Sequence, residues 1–277
     1  MGIADRETET LFLLDRNVIS VIKDANAGKE QKGEKQHDML EYLRSIDAPQ
    51  YAVSPLLSLI EGEHGREDTY IEKSRQLRKE TGELASFFDC VSTDSDVLSN
   101  LNDTFAHMFT GLREGNADAR ALFRKDASPL VIHPVARNRR GAIEAQLLEL
   151  AASYFLQTTD AIVVLFLACL YGSAHARKVL KPSRPTETYN VLSDIHLIPW
   201  VGLIKAEASR ASSHLNVQVL TLDGGLDQVI NSIEFVNVVV LGDWDFRMDL
   251  RYLPSLFPDL SPNGAIELVL RLNDGAA

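Results

Sequence analysis

Two aspartates stand directly after short apolar runs that are typical of buried strands. Asp15 ends the run LFLLD (11–15), and Asp223 ends the run NVQVLTLD (216–223). Several carboxylates that meet at one crevice repel one another unless a cation lies between them. Because Mg²⁺ and Mn²⁺ prefer oxygen ligands, such a set predicts a divalent-metal site that activates water and stabilises charge on a phosphoryl group. Taken singly, each aspartate is more often a turn residue or a helix cap, so the metal hypothesis depends on the whole set.

The order of the acidic residues resembles that of the PIN-domain nucleases. In that family the first strand ends in a hydrophobic run followed by Asp-x-Asn, and this chain reads LLDRN at 13–17. A second acid lies on a helix some tens of residues later, and Glu61 in SPLLSLIEGE follows Asp15 by 46 residues. A third acid opens a late helix and a fourth follows the final core strand, and these places are taken by Asp194 in SDIHLIPWVG and Asp223 in LTLDGGL.

The resemblance implies that these four acids are the catalytic residues and the ligands of Mg²⁺ or Mn²⁺. Metal-activated water would then hydrolyse phosphodiester bonds. Asn17 would orient the first aspartate or contact the nucleic-acid backbone. The family usually has a small hydroxyl residue where Arg16 stands, and an arginine there would either bind phosphate or spoil the site. Lys205 would line the groove or simply face solvent.

The resemblance also implies the class of substrate. Many PIN proteins are ribonucleases, including bacterial toxins, so an endoribonuclease of toxin or defence type is expected. Two alternatives stay open: a catalytically inactive PIN-like binding or regulatory module, and a structure-specific DNA nuclease. Asp194 precedes Asp223 by 29 residues, a longer spacing than is usual in the family, so Asp160 in QTTDAIVVLF is a rival for its role. Asp227 is a rival or helper for Asp223.

The pattern of strands and helices predicts an α/β fold, PIN-like, with a mostly parallel central sheet flanked by helices. Residues 1–70 and 181–242 would form a discontinuous nuclease core, with a further strand at 235–242. Residues 71–180 read as a helical insertion that packs around the core without joining its sheet. Residues 243–277 would be a C-terminal extension. The insertion offers a surface for a protein partner, and self-association is also open.

Composition narrows the classes of function. The net charge of −11 argues against a broad basic surface but not against a local groove for nucleic acid. The two cysteines match no zinc spacing, and no P-loop or dinucleotide-binding motif is found. The apolar stretch 161–174 has 14 residues, fewer than the ~20 that span a bilayer, and it predicts a buried core helix. The N-terminus does not resemble a secretory signal, so we expect a cytoplasmic protein without a membrane partner.

Overall fold

The computed structural model of the protein describes residues 8–62, 66–109, 116–241 and 246–274. The strands are β1 (Thr10–Leu14), β2 (Tyr51–Ser54), β3 (Ser92–Thr93), β4 (Asn216–Leu220), β5 (Ile233–Val240) and β6 (Phe246–Tyr252). The helices are α1 (Arg16–Asn26), α2 (Glu34–Ser45), α3 (Leu56–Glu61), α4 (Tyr70–Phe87), α5 (Ser95–Asn100), α6 (Asn102–Phe109), α7 (Ala117–Val131), α8 (Arg140–Ser153), α9 (Ala161–Leu170), α10 (Ala174–Leu180), α11 (Thr188–Ala211), α12 (Gly224–Ile230) and α13 (Pro262–Asp274).

The chain divides into two compact units. The first unit contains Met1–Leu112 and Pro199–Leu222, and the second contains Arg113–Ile198 and Asp223–Ala277. One of the divisions between them falls inside α11, and another falls between Leu222 and Asp223, just after the end of β4. None of the helices in the described part of the chain is both long and apolar enough to cross a membrane.

The first unit is built on a four-stranded sheet in the order β3-β2-β1-β4, in which all neighbouring strands are parallel. Every residue of β1 is buried, as a continuous apolar run in a parallel sheet requires. Leu14 at the end of β1 pairs with Leu220 at the end of β4. The predicted α/β class with a parallel sheet is therefore confirmed.

The strand order creates a switch point between β1 and β4. From β1 the chain builds β2 and β3 on one side, and it later returns to place β4 on the other side. In open parallel sheets, ligands bind beyond the carboxyl ends of the strands at such a point, because the connections there diverge to opposite faces. Asp15 follows β1 and Thr221 follows β4, so both stand at the switch point.

Apolar helix faces cover the sheet of the first unit. One buried cluster joins β1 and β4 to helices α1 and α2 and to the end of α4, and it includes Phe12, Ile19, Leu43, Leu84 and Leu220. A smaller cluster of Leu59, Leu77 and Leu98 ties α3 to α4 and α5.

The region predicted as a helical insertion is largely helical, but it also reaches the sheet. Described residues between 95 and 175 form helices and turns and no strand. Before them, β3 pairs with β2 and becomes an edge strand of the sheet. Asp47 fixes this approach, since its carboxylate accepts from the backbone amides of Asp89, Cys90 and Val91 at 3.0, 2.8 and 2.8 Å. Residues 71–93 are therefore part of the first unit, together with the sheet, and the expectation that the insertion does not join the sheet is wrong for β3.

The second unit is mainly helical. Each residue of α9 is buried, as expected for a core helix. The strand predicted at 235–242 is observed as β5, but it pairs antiparallel with β6 in a separate two-stranded sheet. Residues 246–252 alternate apolar with polar side chains, which is typical of a strand with one covered face, and they form β6. The predicted C-terminal extension therefore contributes β6 and α13 to the second unit.

Candidate functional site

Asp15 is the carboxylate at the switch point and caps helix α1. Its Oδ1 accepts from the Val18 amide at 3.0 Å, and both Asn17 and the Thr221 side chain also bond to the carboxylate. The Asp15 amide in turn donates to the Leu220 carbonyl at 3.1 Å, which joins the ends of β1 and β4. The residue is only 2% exposed. Burial raises the pKa of Asp15, and the hydrogen bonds that it accepts oppose the rise.

Glu61 is the last residue of α3, and the chain turns sharply after it. Gly62 has φ of 86°, in a region that other residues rarely adopt. A β-carbon at Gly62 would lie 2.6 Å from Asp68 Oδ2 and 3.0 Å from Lys73 Nζ. The sequence Glu-Gly therefore ends this helix because only glycine allows both the turn and the approach of the two buried charges.

Lys73 on α4 is a buried cation at the end of α3. Its ammonium group donates to the Leu59 carbonyl and, at 3.5 Å, to the Ile60 carbonyl, and it lies 3.8 Å from the Asp68 carboxylate. Burial lowers the pKa of Lys73, while the negative charges of Asp68, Glu80 and Glu61 oppose this. The field of Arg16 lowers the same pKa. Arg16 and Glu61 therefore both lie near Lys73, a residue that the sequence did not single out.

The buried face of α4 continues this polar network. Glu80 is fully buried and accepts from Lys23 of α1 at 3.0 Å and from Gln76 at 3.2 Å. Gln76 also donates to the Ser58 carbonyl of α3 at 2.9 Å. Helices α1, α3 and α4 are thus joined by charged and amide groups beside the predicted Glu61 position.

Asp194 lies within α11 rather than at its start. The helix begins at Thr188, directly after a short 3₁₀ turn at Pro185–Glu187, so the expectation that the third acid opens the helix is wrong. Asp194 lies 3.8 Å from Lys181 Nζ. Its rival Asp160 caps α9 through the Ile162 amide and forms a two-pronged ion pair with Arg120 at 3.0–3.2 Å.

Asp223 caps α12. Its Oδ1 accepts from the Gly225 amide at 2.8 Å and from the Leu226 amide at 3.3 Å. Gly224 and Gly225 are the first residues of this helix. Gly225 packs so closely against α10 that a β-carbon there would lie 2.7 Å from the Lys178 side chain and 3.1 Å from the His175 carbonyl oxygen. Asp227 bonds to its neighbours Gln228 and Asn231.

The four predicted metal ligands are divided between the units. Asp15 and Glu61 belong to the first, whereas Asp194 and Asp223 belong to the second; Lys205 lies in the first. Within the described part of the chain, no three His, Cys, Asp or Glu side chains are arranged to hold a metal ion. Carboxylate oxygens are the right donors for Mg²⁺ or Mn²⁺, but the described residues are not assembled around one and do not by themselves fit a bound divalent ion.

A second pair of polar residues occupies the same edge of the sheet. Ser54 ends β2 and Asp94 follows β3, and the Ser54 hydroxyl donates to Asp94 Oδ2 at 2.5 Å. In the order of the strands, the carboxyl edge therefore carries Asp94, Ser54, Asp15 and Thr221. The sequence does not single out Asp94, because the strand before it, β3, has only two residues and no apolar run. A polar residue after each strand was the available signal.

Comparison of the chain with protein-family models, with curated proteins and with solved structures gives no match in any of the three.

Proposed function

We propose that this protein is a PIN-like metal-dependent endonuclease that acts on RNA in preference to DNA, with the carboxyl edge of its parallel sheet as the nucleic-acid-binding edge. The observation that carries the proposal is the position of Asp15. It follows the central strand at the switch point of the sheet, where α/β proteins bind ligands. It is also buried, and its pKa is raised by burial, which a bound cation would reverse.

Asp15 has a distinct part in this proposal. Its contacts with Val18, Asn17 and Thr221 hold the carboxylate at a defined place beside β4. Arg16, the next residue, supplies a positive charge for a phosphate group. The described side chains do not by themselves form a site for Mg²⁺ or Mn²⁺, so metal binding is the first property to measure.

A second candidate, a PIN-like module that binds without cutting, is favoured by a specific observation. Each predicted metal ligand already interacts with groups of the protein. Asp15 and Asp223 accept hydrogen bonds from the first amides of the helices that they cap. Asp194 lies 3.8 Å from Lys181, and the charge of Glu61 opposes the lowering of the Lys73 pKa that burial causes. Cations and amides of the protein would then take the place of a metal.

The test combines metal titration with cleavage. Mn²⁺ binding is followed by electron paramagnetic resonance for wild type, Asp15→Asn and the exposed control Asp38→Asn, and the same proteins are assayed with Mg²⁺ or Mn²⁺ on single-stranded and structured RNA and DNA. We expect wild type and the control to bind Mn²⁺ and cut RNA, and Asp15→Asn to do neither. Equal cleavage by Asp15→Asn would refute the site. If the wild type binds RNA but binds no Mn²⁺ and cleaves no nucleic acid, the protein is a module that binds without cutting.

A further inference from the structure

The outer face of α4 carries a row of cations. The helix buries its residues at 73, 74, 76, 77, 80, 81 and 84. Arg75, Arg78 and Lys79 lie on the opposite side and are exposed. They stand at i, i+3 and i+4, so they are neighbours on the helix surface, and like charges at this spacing destabilise a helix. The fold itself therefore gains nothing from placing these three positive charges together.

The acidic residues that flank the row on α4 do not neutralise it. Glu72 is bound by Arg66, whose nitrogen lies 2.6 Å from its carboxylate. Glu83 accepts from a neutral side-chain amide of α1 at 2.7 Å. In the described part of the chain the three cations form no ion pair and no hydrogen bond with any protein group. Their positive charge is thus available to a partner.

An aromatic stack borders the row of cations. The rings of Tyr70 on α4 and His107 on α6 are stacked, with centroids 4.3 Å apart and an interplanar angle of 27°. The Tyr70 hydroxyl donates to Asp103 at 2.7 Å, which fixes the ring. This hydrogen bond raises the pKa of Tyr70 and the charge of Arg78 opposes the rise, so Arg78 lies near the stack. His107 is exposed, and the stack therefore reaches the surface.

The combination of cations and stacked rings is the chemistry that recognises a single strand of nucleic acid. Cations neutralise the phosphate groups of the backbone, and aromatic rings stack on bases of any sequence. A membrane surface would instead require a broad apolar face beside the cations. In the described part of α4 the outer face exposes one large apolar side chain, Ile71. A nucleic-acid strand fits this face better than a membrane does.

We propose that the outer face of α4 is a binding surface for single-stranded RNA. The surface, which we call the α4 face, consists of Tyr70, Ile71, Arg75, Arg78, Lys79 and His107. The choice of RNA rests on the proposed nuclease function. Binding of a strand to the α4 face is measured without cleavage, so the two proposals can fail separately.

The α4 face begins beside the end of α3. Lys73 donates to carbonyl groups at the end of α3, the helix that carries Glu61, and Lys73 precedes Arg75 by two residues. Because a helix rises about 1.5 Å for each residue, the three cations lie within about 10 Å of Lys73 along the axis of α4. Asp15 belongs to the same unit. A strand held on the α4 face would therefore extend toward the carboxyl edge of the sheet.

The experiment is an anisotropy titration with a fluorescein-labelled single-stranded RNA of mixed sequence and about 15 nucleotides, at about 50 to 300 mM salt. EDTA in the buffer prevents metal-dependent cleavage. Wild type is compared with a triple variant of the α4 face, Arg75→Gln/Arg78→Gln/Lys79→Gln. The matched control removes three exposed cations of the same kinds elsewhere, Lys125→Gln/Arg137→Gln/Arg139→Gln.

The triple variant of the α4 face should lower the slope of log affinity against log salt by about 2, since each phosphate contact of a single strand contributes about 0.7. Its affinity at the lowest salt should fall by about 10- to 100-fold, while the matched control stays close to wild type. His107→Ala should weaken binding by about fivefold or more without changing the slope, because it removes stacking and no charge. His107→Phe keeps a ring and should bind as wild type does.

Four results would overturn the α4 face: no RNA binding by wild type, wild-type affinity and slope in its triple variant, an equal loss in the matched control, or tighter binding of polyglutamate or phosphatidylserine vesicles than of RNA. Melting curves check the fold, and the triple variant should melt at or slightly above the wild-type temperature because like-charge repulsion is removed. If the α4 face binds RNA but Asp15→Asn cuts as well as wild type, only the nuclease site fails. If wild type cuts RNA but the triple variant binds it equally well, only the α4 face fails.

Discussion

Replacing Asp94 with asparagine should make the protein more stable at high pH while leaving its stability at low pH unchanged. Burial raises the pKa of Asp94 from its ordinary value of 3.8 to about 7 in the folded protein. Between about pH 4 and pH 7 the folded state therefore keeps a proton that the unfolded chain has already released. Because the folded state binds more protons in this window, the free energy of unfolding falls as the pH rises through it.

The size of the effect follows from the shift. A rise of about 3 pKa units, at about 1.4 kcal/mol for each unit, corresponds to a loss of about 4 kcal/mol once the pH exceeds 7. The loss is absent below about pH 4, where aspartate is protonated in both states. Asparagine carries no charge at any of these pH values and can still contact Ser54, so the variant should escape the loss. Asp15 titrates with the same sign, but its contribution cancels when the two proteins are compared.

The assay is urea unfolding at pH 4, 5, 6, 7 and 8, followed by tryptophan fluorescence. Trp200 is buried in the first unit, and a Trp244→Phe background leaves it as the single reporter. The difference between Asp94→Asn and wild type should grow from near zero at pH 4 to about 4 kcal/mol at pH 8, with Asp96→Asn as control. Midpoints are comparable only if the urea dependence is unchanged. A difference that does not vary with pH would refute the reasoning.

Three further predictions follow from other parts of the structure. Gly62→Ala should destabilise the first unit by about 1–3 kcal/mol in urea unfolding, because the positive φ of Gly62 and the nearby Asp68 and Lys73 exclude a β-carbon. The control Gly82→Ala, at an open helical position, should be neutral or stabilising. Equal changes in the stability of the two variants would contradict this reasoning. Arg124→Lys should cost about 1–3 kcal/mol, because the guanidinium bonds to five oxygens around 180–188 that a lysine cannot reach together, and a melting temperature equal to that of the exposed Arg137→Lys control would contradict this. A thiol reagent at pH 8 should modify Cys90, which is exposed, and spare Cys169, whose pKa burial raises to about 12; rapid labelling of both in the folded protein would be the contrary result.

The elements that the sequence predicted correctly are those in which one local pattern decides the structure. The run 11–14 is short, continuous and apolar, which is typical of a strand covered on both faces, and it forms the fully buried strand β1. The run 216–220 alternates apolar with polar residues, and it forms the edge strand β4 of the same parallel sheet. The stretch 161–170 is too apolar for any surface position, and α9 is buried throughout. In these cases the hydrophobic pattern of the segment itself determines its structure, and contacts with distant segments are not needed to predict it.

The predictions that failed or were missed depend on contacts between distant segments. The resemblance puts Asp194 at the start of a late helix, but α11 begins at Thr188, directly after the 3₁₀ turn at Pro185–Glu187. The strand β3 has no apolar pattern of its own. It forms because β2 pairs with it and because the Asp47 carboxylate accepts hydrogen bonds from the amides just before it. Lys73 reads as a surface residue, and only the end of α3 and the carboxylate of Asp68 explain its burial.

The capping of α1 does not account for the choice of aspartate at position 15. Asparagine, serine and aspartate cap helices almost equally well, and the first two do so without a charge. A capping aspartate at the surface keeps its water, yet Asp15 is 2% exposed, and burial raises its pKa. The fold therefore contains a buried ionisable group that its capping role does not require, at the switch point of a parallel sheet. Asp15→Asn separates the two roles: it should keep the cap and equal or slightly exceed the wild type in thermal stability, while removing the charge that the proposed nuclease needs. A clear loss of stability in this variant would show that the charge itself serves the fold, and the argument from Asp15 to function would then fail.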